Sequence, residues 1–133
     1  MDPMFVKKDW GWELWFANVK DGPDYCGKIL YVENGKWSSK GRYHYHKVKD
    51  ETFMVIEGLL QLDIVDNDNR SETITLSPNH TYRVKPGVKH RFTSVSKTGC
   101  KFIEVSTFHS DSDSYRCTYD IESGNWLEWP PSV

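Results

Sequence analysis

The stretch His44–Gly58, HYHKVKDETFMVIEG, combines two histidines, a charged turn, a glutamate and an apolar run that ends at a glycine. Because alternate residues of a β-strand point to the same face, His44 and His46 should project together from one strand. The turn KVKD reverses the chain, and Glu51 then opens the next strand on the same face as Phe53. The pattern therefore predicts a hairpin that carries two imidazoles and a carboxylate side by side.

A carboxylate on an apolar face is costly to bury alone, and a bound cation is the usual compensation. A third histidine, His90, follows the turn in VKPGVKHRF (residues 84–92) and opens a further strand. Imidazole and carboxylate ligands together suit manganese, zinc, iron, nickel or cobalt. The sequence therefore predicts one divalent transition metal ion, held by His44, His46, Glu51 and His90, with positions left open for a substrate.

Short runs of β-branched and aromatic residues, separated by turn signals, fill most of the chain. We expect about nine strands, because no segment shows the long 3.6-residue period of a helix. The expected strands cover residues 13–19, 25–32, 42–46, 51–56, 59–65, 71–76, 81–84, 90–95 and 100–108. Such strands, joined mostly by tight turns, predict an all-β fold, either an antiparallel sandwich or a closed or nearly closed barrel.

The composition limits the classes of protein to which the chain can belong. Its 133 residues suffice for a single domain, with a barrel core at about residues 12–108 and a polar, Trp-rich tail at 109–133. The tail either packs back on the barrel through Trp126 and Trp129 or reaches a partner subunit. The net charge is -2 without runs of one sign, so we expect no nucleic-acid or membrane partner. No apolar stretch has transmembrane length and the N-terminus lacks a signal pattern, so a cytoplasmic location is expected.

The cysteines Cys26, Cys100 and Cys117 form no CxxC pair, and their odd number argues against a disulfide framework. They are expected to be unpaired, buried thiols in a reducing compartment. Two further histidines are not expected to bind a ligand. His80 lies in a turn and His109 in the polar tail, so both should be solvated.

The spacing of the predicted metal ligands resembles that of the cupin superfamily. The first motif of that family, HxH, four residues, Glu, six residues and Gly, agrees with His44–Gly58 at every position. The second motif, PxGxxH followed by three residues and Asn, maps onto Lys85–Ser94, where Gly87 and His90 match. The Pro and Asn of this motif are Lys and Ser here, and neither change removes a ligand. The resemblance implies a cupin-type antiparallel β-barrel, also described as a double-stranded β-helix or jelly roll.

Other segments resemble cupins that act on sugars, of the mannose-6-phosphate isomerase and D-lyxose isomerase type. These segments are KKDWGWELWFAN (residues 7–18), YCGKILYV (25–32) and FIEVSTFHSDSDSYR (102–116). The resemblance implies a metal-dependent isomerase or epimerase that acts on a sugar or sugar derivative.

An isomerase also needs a base that moves a proton between adjacent carbons, and two strand residues are candidates for this catalytic role. Lys28 shares a strand face with Leu30, and Glu104 shares one with Phe102. The pattern leaves open whether these two faces point to the interior or to solvent. Arg116 can bind a sugar phosphate or carboxylate, or it can form a surface salt bridge.

Tyr45 and the tryptophans Trp10, Trp12 and Trp15 can stack on a sugar ring, fill the core or form a dimer interface. An interface is favoured for the tryptophans, so a homodimer is expected. Two other functions remain open. One is a dioxygenase that uses the same ligand set in an apolar pocket, and the other is a non-catalytic module that binds a small molecule.

Overall fold

The computed structural model describes residues 2–18 and 24–129. Within these ranges the chain forms twelve strands and no α-helix. The strands are β1 (Met4–Lys8), β2 (Gly11–Ala17), β3 (Tyr25–Val32), β4 (Tyr43–Tyr45), β5 (Glu51–Glu57), β6 (Leu60–Val65), β7 (Ser71–Leu76), β8 (Thr81–Val84), β9 (Lys89–Ser94), β10 (Cys100–Thr107), β11 (Tyr115–Asp120) and β12 (Asn125–Trp129). Short 3-10 turns lie at Ser38–Gly41 and Asp111–Asp113. A search of the described residues finds no helix with the length and apolar character that a membrane span requires.

The strands form two antiparallel sheets that pack face to face. Sheet I has the order β1-β2-β3-β10-β5-β8, and sheet II has the order β12-β11-β4-β9-β6-β7. One hydrophobic cluster contains side chains from both sheets, including Leu30, Phe53 and Phe102 of sheet I and Leu62 and Phe92 of sheet II. The all-β jelly-roll prediction is confirmed. In the part of the chain that the structure describes, the sheets remain separate hydrogen-bonded ladders and do not close into one cylinder.

All nine predicted strands are present, and the structure adds three more. β1 pairs with β2, while β11 and β12 form a hairpin in the segment expected to be a polar tail. β11 extends sheet II by pairing with β4, where Arg116 lies opposite His44. Cys117 is the one buried residue of this hairpin, and β11 alternates Tyr115, Cys117 and Tyr119 with polar residues, a strand pattern that the expectation of a polar tail overlooks. The described residues do not include residue 1, residues 19–23 or residues 130–133. The last of these ranges is the end of the expected tail.

Two tryptophans show how the ends of the chain pack on the sheets. Trp10 is buried and meets Phe92 edge-on, so it is a core residue, and its expected place in a dimer interface is wrong. Trp126 of β12 packs edge-on against Tyr43 of β4. The C-terminal hairpin therefore packs back on the body of the protein.

The three cysteines are unpaired and buried, as predicted. Burial raises the pKa of each thiol, to about 12 for Cys100 and to about 11 for Cys117. The thiols are therefore protonated at neutral pH and behave as small core side chains.

The inward faces of β3 and β10 change from apolar to charged along their length. Leu30, Phe102 and Val55 form a buried apolar row across β3, β10 and β5. Two residues away on their strands, Lys28 lies opposite Glu104, and both are buried. One end of the interior is therefore a dry core, and the other end is polar.

We expect Phe102→Ala to destabilise the protein by about 3–5 kcal/mol, because the buried ring contacts Phe53 and Phe92 edge-on. Phe5→Ala is the matched control. Its ring is 61% exposed, so its loss should cost about 1 kcal/mol or less. Urea unfolding followed by circular dichroism measures both changes, and equal losses for the two variants would contradict the core assignment.

Candidate metal centre

Three histidines converge at the polar end of the interior. His44 on β4 and His90 on β9 are direct partners across the antiparallel pair, and their ring centroids are 3.9 Å apart. His46 follows β4, and its ring centroid lies 5.5 Å from that of His44 and 5.9 Å from that of His90. One ring nitrogen of each histidine lies within 4.8 Å of the others, so the three side chains can hold a metal ion.

Glu51 adds a carboxylate from sheet I to this cluster. It opens β5, and its Oε2 lies 3.2 Å from Nε2 of His46 and 3.6 Å from Nε2 of His90. Phe53 and Val55 are buried together with Glu51, so the inward face expected from strand alternation is confirmed. The structure thus brings the predicted carboxylate and the histidines together, with contributions from both sheets.

The hydrogen bonds of two rings determine which nitrogen carries the proton. Because a carbonyl oxygen can only accept, Nδ1–H of His46 donates to the carbonyl of Asp113 at 2.9 Å. In the same way, Nδ1–H of His90 donates to the carbonyl of Val88 at 3.0 Å. In the neutral rings, Nε2 then carries a lone pair, and it lies close to the carboxylate of Glu51.

Several hydrogen-bond acceptors therefore face one another. Oε2 of Glu51 and Nε2 of His90 are buried, and no donor from the described residues satisfies them. The same holds for Nδ1 of His44. Burying unsatisfied polar atoms is costly, whereas imidazole nitrogens and carboxylate oxygens are established ligands of transition metals. The ligand set of this cluster therefore fits a divalent metal ion.

Burial keeps two of the imidazoles in the neutral form. It lowers the pKa of His44 well below its ordinary value, and the neighbouring His90 and His46 lower it further. Burial also lowers the pKa of His90, although the carboxylate of Glu51 acts in the opposite direction. Neutral imidazole is the form that binds a metal, so the surroundings prepare both rings for ligation.

A second group of charged side chains lies beside the histidines. Lys49 is only 2% exposed, and its Nζ lies 2.7 Å from Oε2 of Glu104 and 3.9 Å from Oε1 of Glu51. Nζ of Lys28 lies 3.9 Å from Oε2 of Glu104 and 4.2 Å from the centre of the Trp15 ring. Lys28 and Glu104, whose orientation the sequence leaves open, therefore both face the interior.

Lys49 and Glu104 hold each other in the ionised form. Burial alone would raise the pKa of Glu104, but Lys28 and Lys49 outweigh it and hold that pKa well below its usual range. Burial would lower the pKa of Lys49, but Glu104 and Glu51 raise it above the ordinary value. The formal charges of these two lysines and two glutamates cancel.

Sequence reasoning misses Lys49 and misplaces His109. Lys49 lies in the KVKD turn, where strand alternation gives no orientation. The expectation of a solvated His109 is wrong, because its side chain is only 9% exposed. Nδ1 of His109 accepts a hydrogen bond from Nζ of Lys49 at 3.2 Å, and Nε2–H donates one to Asp111 at 3.0 Å. Burial, together with the charges of Lys28 and Lys49, lowers the pKa of His109 to about 4. His80 is exposed, as expected.

His44, His46, Glu51 and the charged group line one pocket of about 590 Å³, whereas His90 is fully buried and is not part of its lining. Arg116, which lies opposite His44 across the strand pair, contributes to its wall. The structure does not place Tyr45 at this pocket, contrary to the expected contact with a substrate. Tyr45 lies between His44 and His46 on the strand, so its side chain points to the other face, where its hydroxyl donates to Glu128.

Comparison with known proteins identifies the family. The Cupin domain model (Cupin_2) matches residues 28–106, more than half of the chain. In structure, the chain is similar to the oxalate decarboxylase of Bacillus subtilis (TM-score 0.74, 18% identity, 86% of this chain and 30% of that chain). It is also similar to the oxalate decarboxylase of Lactobacillus farciminis (TM-score 0.72, 19% identity, 85% of this chain and 33% of that chain). In sequence, it is 28% identical over 82 residues to the uncharacterized HTH-type transcriptional regulator YobQ of Bacillus subtilis, covering 61% of this chain and 32% of that protein.

The chain spans about a third of the length of these relatives, between 30% and 33%. Identities of 18% and 19% to the solved structures establish a common fold and nothing finer. The family expected from the two sequence motifs is nonetheless confirmed by the matched domain and by the jelly-roll architecture. This chain belongs to the cupin superfamily.

Proposed function

We propose that this cupin is a metal-dependent isomerase or epimerase that acts on a sugar or sugar derivative. One observation carries the proposal, namely that a single pocket is lined both by members of a metal-type ligand set and by buried, ion-paired acid–base side chains. The ligand set is His44, His46, Glu51 and His90, and the acid–base group is Lys28, Lys49 and Glu104.

The cofactor in this proposal is one divalent transition metal ion. Manganese, zinc, iron, nickel and cobalt are all compatible with imidazole and carboxylate ligands. Mn(II) centres are described for the oxalate decarboxylase of Bacillus subtilis, which supports a divalent metal in this fold. When bound, such an ion would supply a Lewis acid that polarises a carbonyl or hydroxyl oxygen of the substrate.

Glu104 is the proposed base, with Lys49 controlling its basicity. The low pKa of Glu104 makes it a weak base while it is paired with Lys49. A substrate oxygen that accepts a hydrogen bond from Lys49 weakens this pairing and makes Glu104 more basic. In this scheme Glu104 takes a proton from the carbon next to the carbonyl and returns it to the former carbonyl carbon, while the proton of the adjacent hydroxyl passes to the former carbonyl oxygen. Lys28 lies close enough to Glu104 to donate a hydrogen bond to the same substrate.

Arg116 supports an anionic substrate. It lines the pocket beside His44, and it forms no salt bridge with the residues that the structure describes. A guanidinium group in this position can bind a carboxylate or phosphate through two parallel hydrogen bonds. We therefore favour an acidic sugar or a sugar phosphate within the proposed substrate class.

A second function, ligand binding without turnover, is favoured by the sequence relative. That protein is named an HTH-type transcriptional regulator, and a cupin domain in a regulator needs only to bind its ligand. A dioxygenase is less well supported, because it calls for an apolar pocket. Here Lys28, Lys49 and Glu104 place charges in the interior of the pocket.

Two other expectations remain proposals. We propose a homodimer, which is supported by exposed apolar side chains on strands of sheet I. Phe16 and Val105 are 48% and 53% exposed, and apolar surface of this kind often marks a protein contact. The proposed cytoplasmic location rests on the sequence alone.

His46→Ala should remove a metal ligand and lower the affinity for Zn²⁺ by more than about 100-fold. Substituting a residue that only hydrogen-bonds to a ligand typically lowers the affinity by about 10- to 100-fold. A titration against a chromophoric chelator measures this affinity. His80→Ala, which removes an exposed histidine, is the matched control and should bind like the wild type. If the His46→Ala protein keeps stoichiometric metal after dialysis, the ligand assignment is wrong.

The buried His109 leads to a prediction for stability against pH. Its pKa in the folded protein is about 4, below the value near 6.5 of an unfolded chain, so the unfolded chain binds the proton first. The free energy of unfolding should therefore fall as the pH decreases from about 6.5 to about 4, and His109→Gln should reduce this dependence. Urea unfolding of the metal-free protein across this range measures the slope. The same slope in wild type and variant would contradict the buried position of His109.

Glu104→Gln keeps the size of the side chain but removes its basicity. We expect isomerisation to fall by roughly 10²–10⁴-fold, while the metal content stays unchanged because Glu104 is not among the proposed ligands. A screen of free sugars, acidic sugars and sugar phosphates against the metal-reconstituted protein, followed by NMR, identifies the substrate. Glu57→Gln, at an exposed carboxylate that pairs with Lys101, is the matched control.

The outcomes of this screen separate the candidate functions. Wild-type turnover by Glu104→Gln would rule out Glu104 as the base. Binding of a sugar without turnover would favour the binding module. Oxygen consumption with an organic substrate, without reaction of any sugar, would favour the dioxygenase.

A further inference from the structure

Two connections between the sheets meet at the metal-ligand cluster. Residues 46–50 join β4 of sheet II to β5 of sheet I, and residues 108–114 join β10 of sheet I to β11 of sheet II. The first connection carries His46 and Lys49, and the second carries Asp113. Because neither connection belongs to a strand ladder, other contacts have to hold these side chains in place.

Asp113 provides such contacts along the whole turn. Its Oδ1 accepts from the backbone N–H groups of Lys47 at 2.9 Å and Val48 at 3.2 Å. Its Oδ2 accepts from those of Val48 at 3.2 Å and Lys49 at 3.0 Å. Its backbone carbonyl accepts from Nδ1–H of His46 at 2.9 Å. One residue therefore binds four consecutive residues of the first connection.

We propose that Asp113 is a positioning residue for the metal-ligand cluster, a role that rests on the proposed metal binding. Its carbonyl selects the tautomer of His46 that leaves Nε2 free for ligation. Its carboxylate holds the turn that carries His46 and Lys49. Asp113 acts through these two residues and is not itself a ligand.

The carboxylate is well suited to this task because it is an acceptor only, with about four lone-pair sites on its two oxygens. An amide of the same size presents one acceptor oxygen and one NH₂ group. In Asp113→Asn the NH₂ group would face backbone N–H donors of the turn, so the contact would be disrupted without a change in volume.

Asp120→Asn is the matched control for this substitution. Asp120 ends β11 in the same C-terminal hairpin. Its Oδ1 also accepts from a backbone N–H, that of Glu122 at 3.3 Å, and it does not line the pocket. The control therefore repeats the chemistry of the change at a site that does not contact the cluster.

The test combines two measurements. Competition with a chromophoric chelator gives the Zn²⁺ affinity, and ¹⁵N NMR of the metal-free protein gives the tautomer of His46. In Asp113→Asn the backbone carbonyl remains, but the loosened turn no longer holds His46 against it. We therefore expect an affinity loss of roughly 10- to 100-fold and a mixture of His46 tautomers, while Asp120→Asn should match the wild type. An Asp113→Asn protein with wild-type affinity and a single Nδ1–H tautomer would overturn the proposal.

Two further outcomes separate this inference from the metal proposal and from misfolding. If the wild-type protein binds no Zn²⁺, the metal proposal fails, and the tautomer measurement alone decides whether Asp113 positions His46. If Asp113→Asn does not fold, amide hydrogen exchange of the wild-type protein decides. Slow exchange at Lys47, Val48 and Lys49 supports the contact, and exchange at the rate of an unstructured peptide overturns it.

Discussion

Three buried acceptor atoms impose the constraint on which the rest of the site depends: Nε2 of His46, Nε2 of His90 and Oε2 of Glu51. The carboxylate comes from sheet I and His90 comes from sheet II. Oε2 of Glu51 lies 3.2 Å from Nε2 of His46 and 3.6 Å from Nε2 of His90. Acceptors this close repel one another unless a metal cation or a shared proton lies among them. The proposed metal ion would supply such a cation at the end of the molecule where the two sheets approach each other.

The aromatic layer beside the cluster makes this constraint stricter. Phe53 packs edge-on against Phe92 and Phe102, and its ring also lies next to His90. The close-packed rings offer no polar partners on this side of the cluster, so its buried polar groups have to be satisfied by one another or from the pocket. Glu104 meets this requirement by pairing with Lys49 at 2.7 Å, whereas Oε2 of Glu51 and Nε2 of His90 have no donor among the described residues. Because the ion-paired side chains and the candidate metal ligands are neighbouring but separate groups, one pocket can be lined by both.

Strand alternation predicts the direction of several side chains of this site. The site residues that the sequence misses lie in connections, where side chains do not alternate. His44, Glu51 and His90 lie at inward strand positions, which their spacing to apolar neighbours already indicates. Lys49 and His109 lie in connections, where no period relates the sequence to the direction of a side chain. The hairpin of β11 and β12 lies at the edge of sheet II, and its alternating Tyr115, Cys117 and Tyr119 follow a run of Ser and Asp that favours a polar tail. The fold and the candidate ligand set can therefore be predicted from the sequence, whereas the residues that surround the candidate ligands could be identified only in the structure.

X-ray diffraction from crystals of the Zn²⁺-loaded protein, collected at the zinc absorption edge, tests the central claim most directly. The account predicts one anomalous peak bonded to the ring of His44, Nε2 of His46, Nε2 of His90 and Oε2 of Glu51, with zinc–nitrogen distances of about 2.0–2.1 Å. A peak elsewhere would contradict the account. So would the absence of a peak together with a direct hydrogen bond between His46 and Glu51, because a proton would then satisfy the cluster in place of a metal.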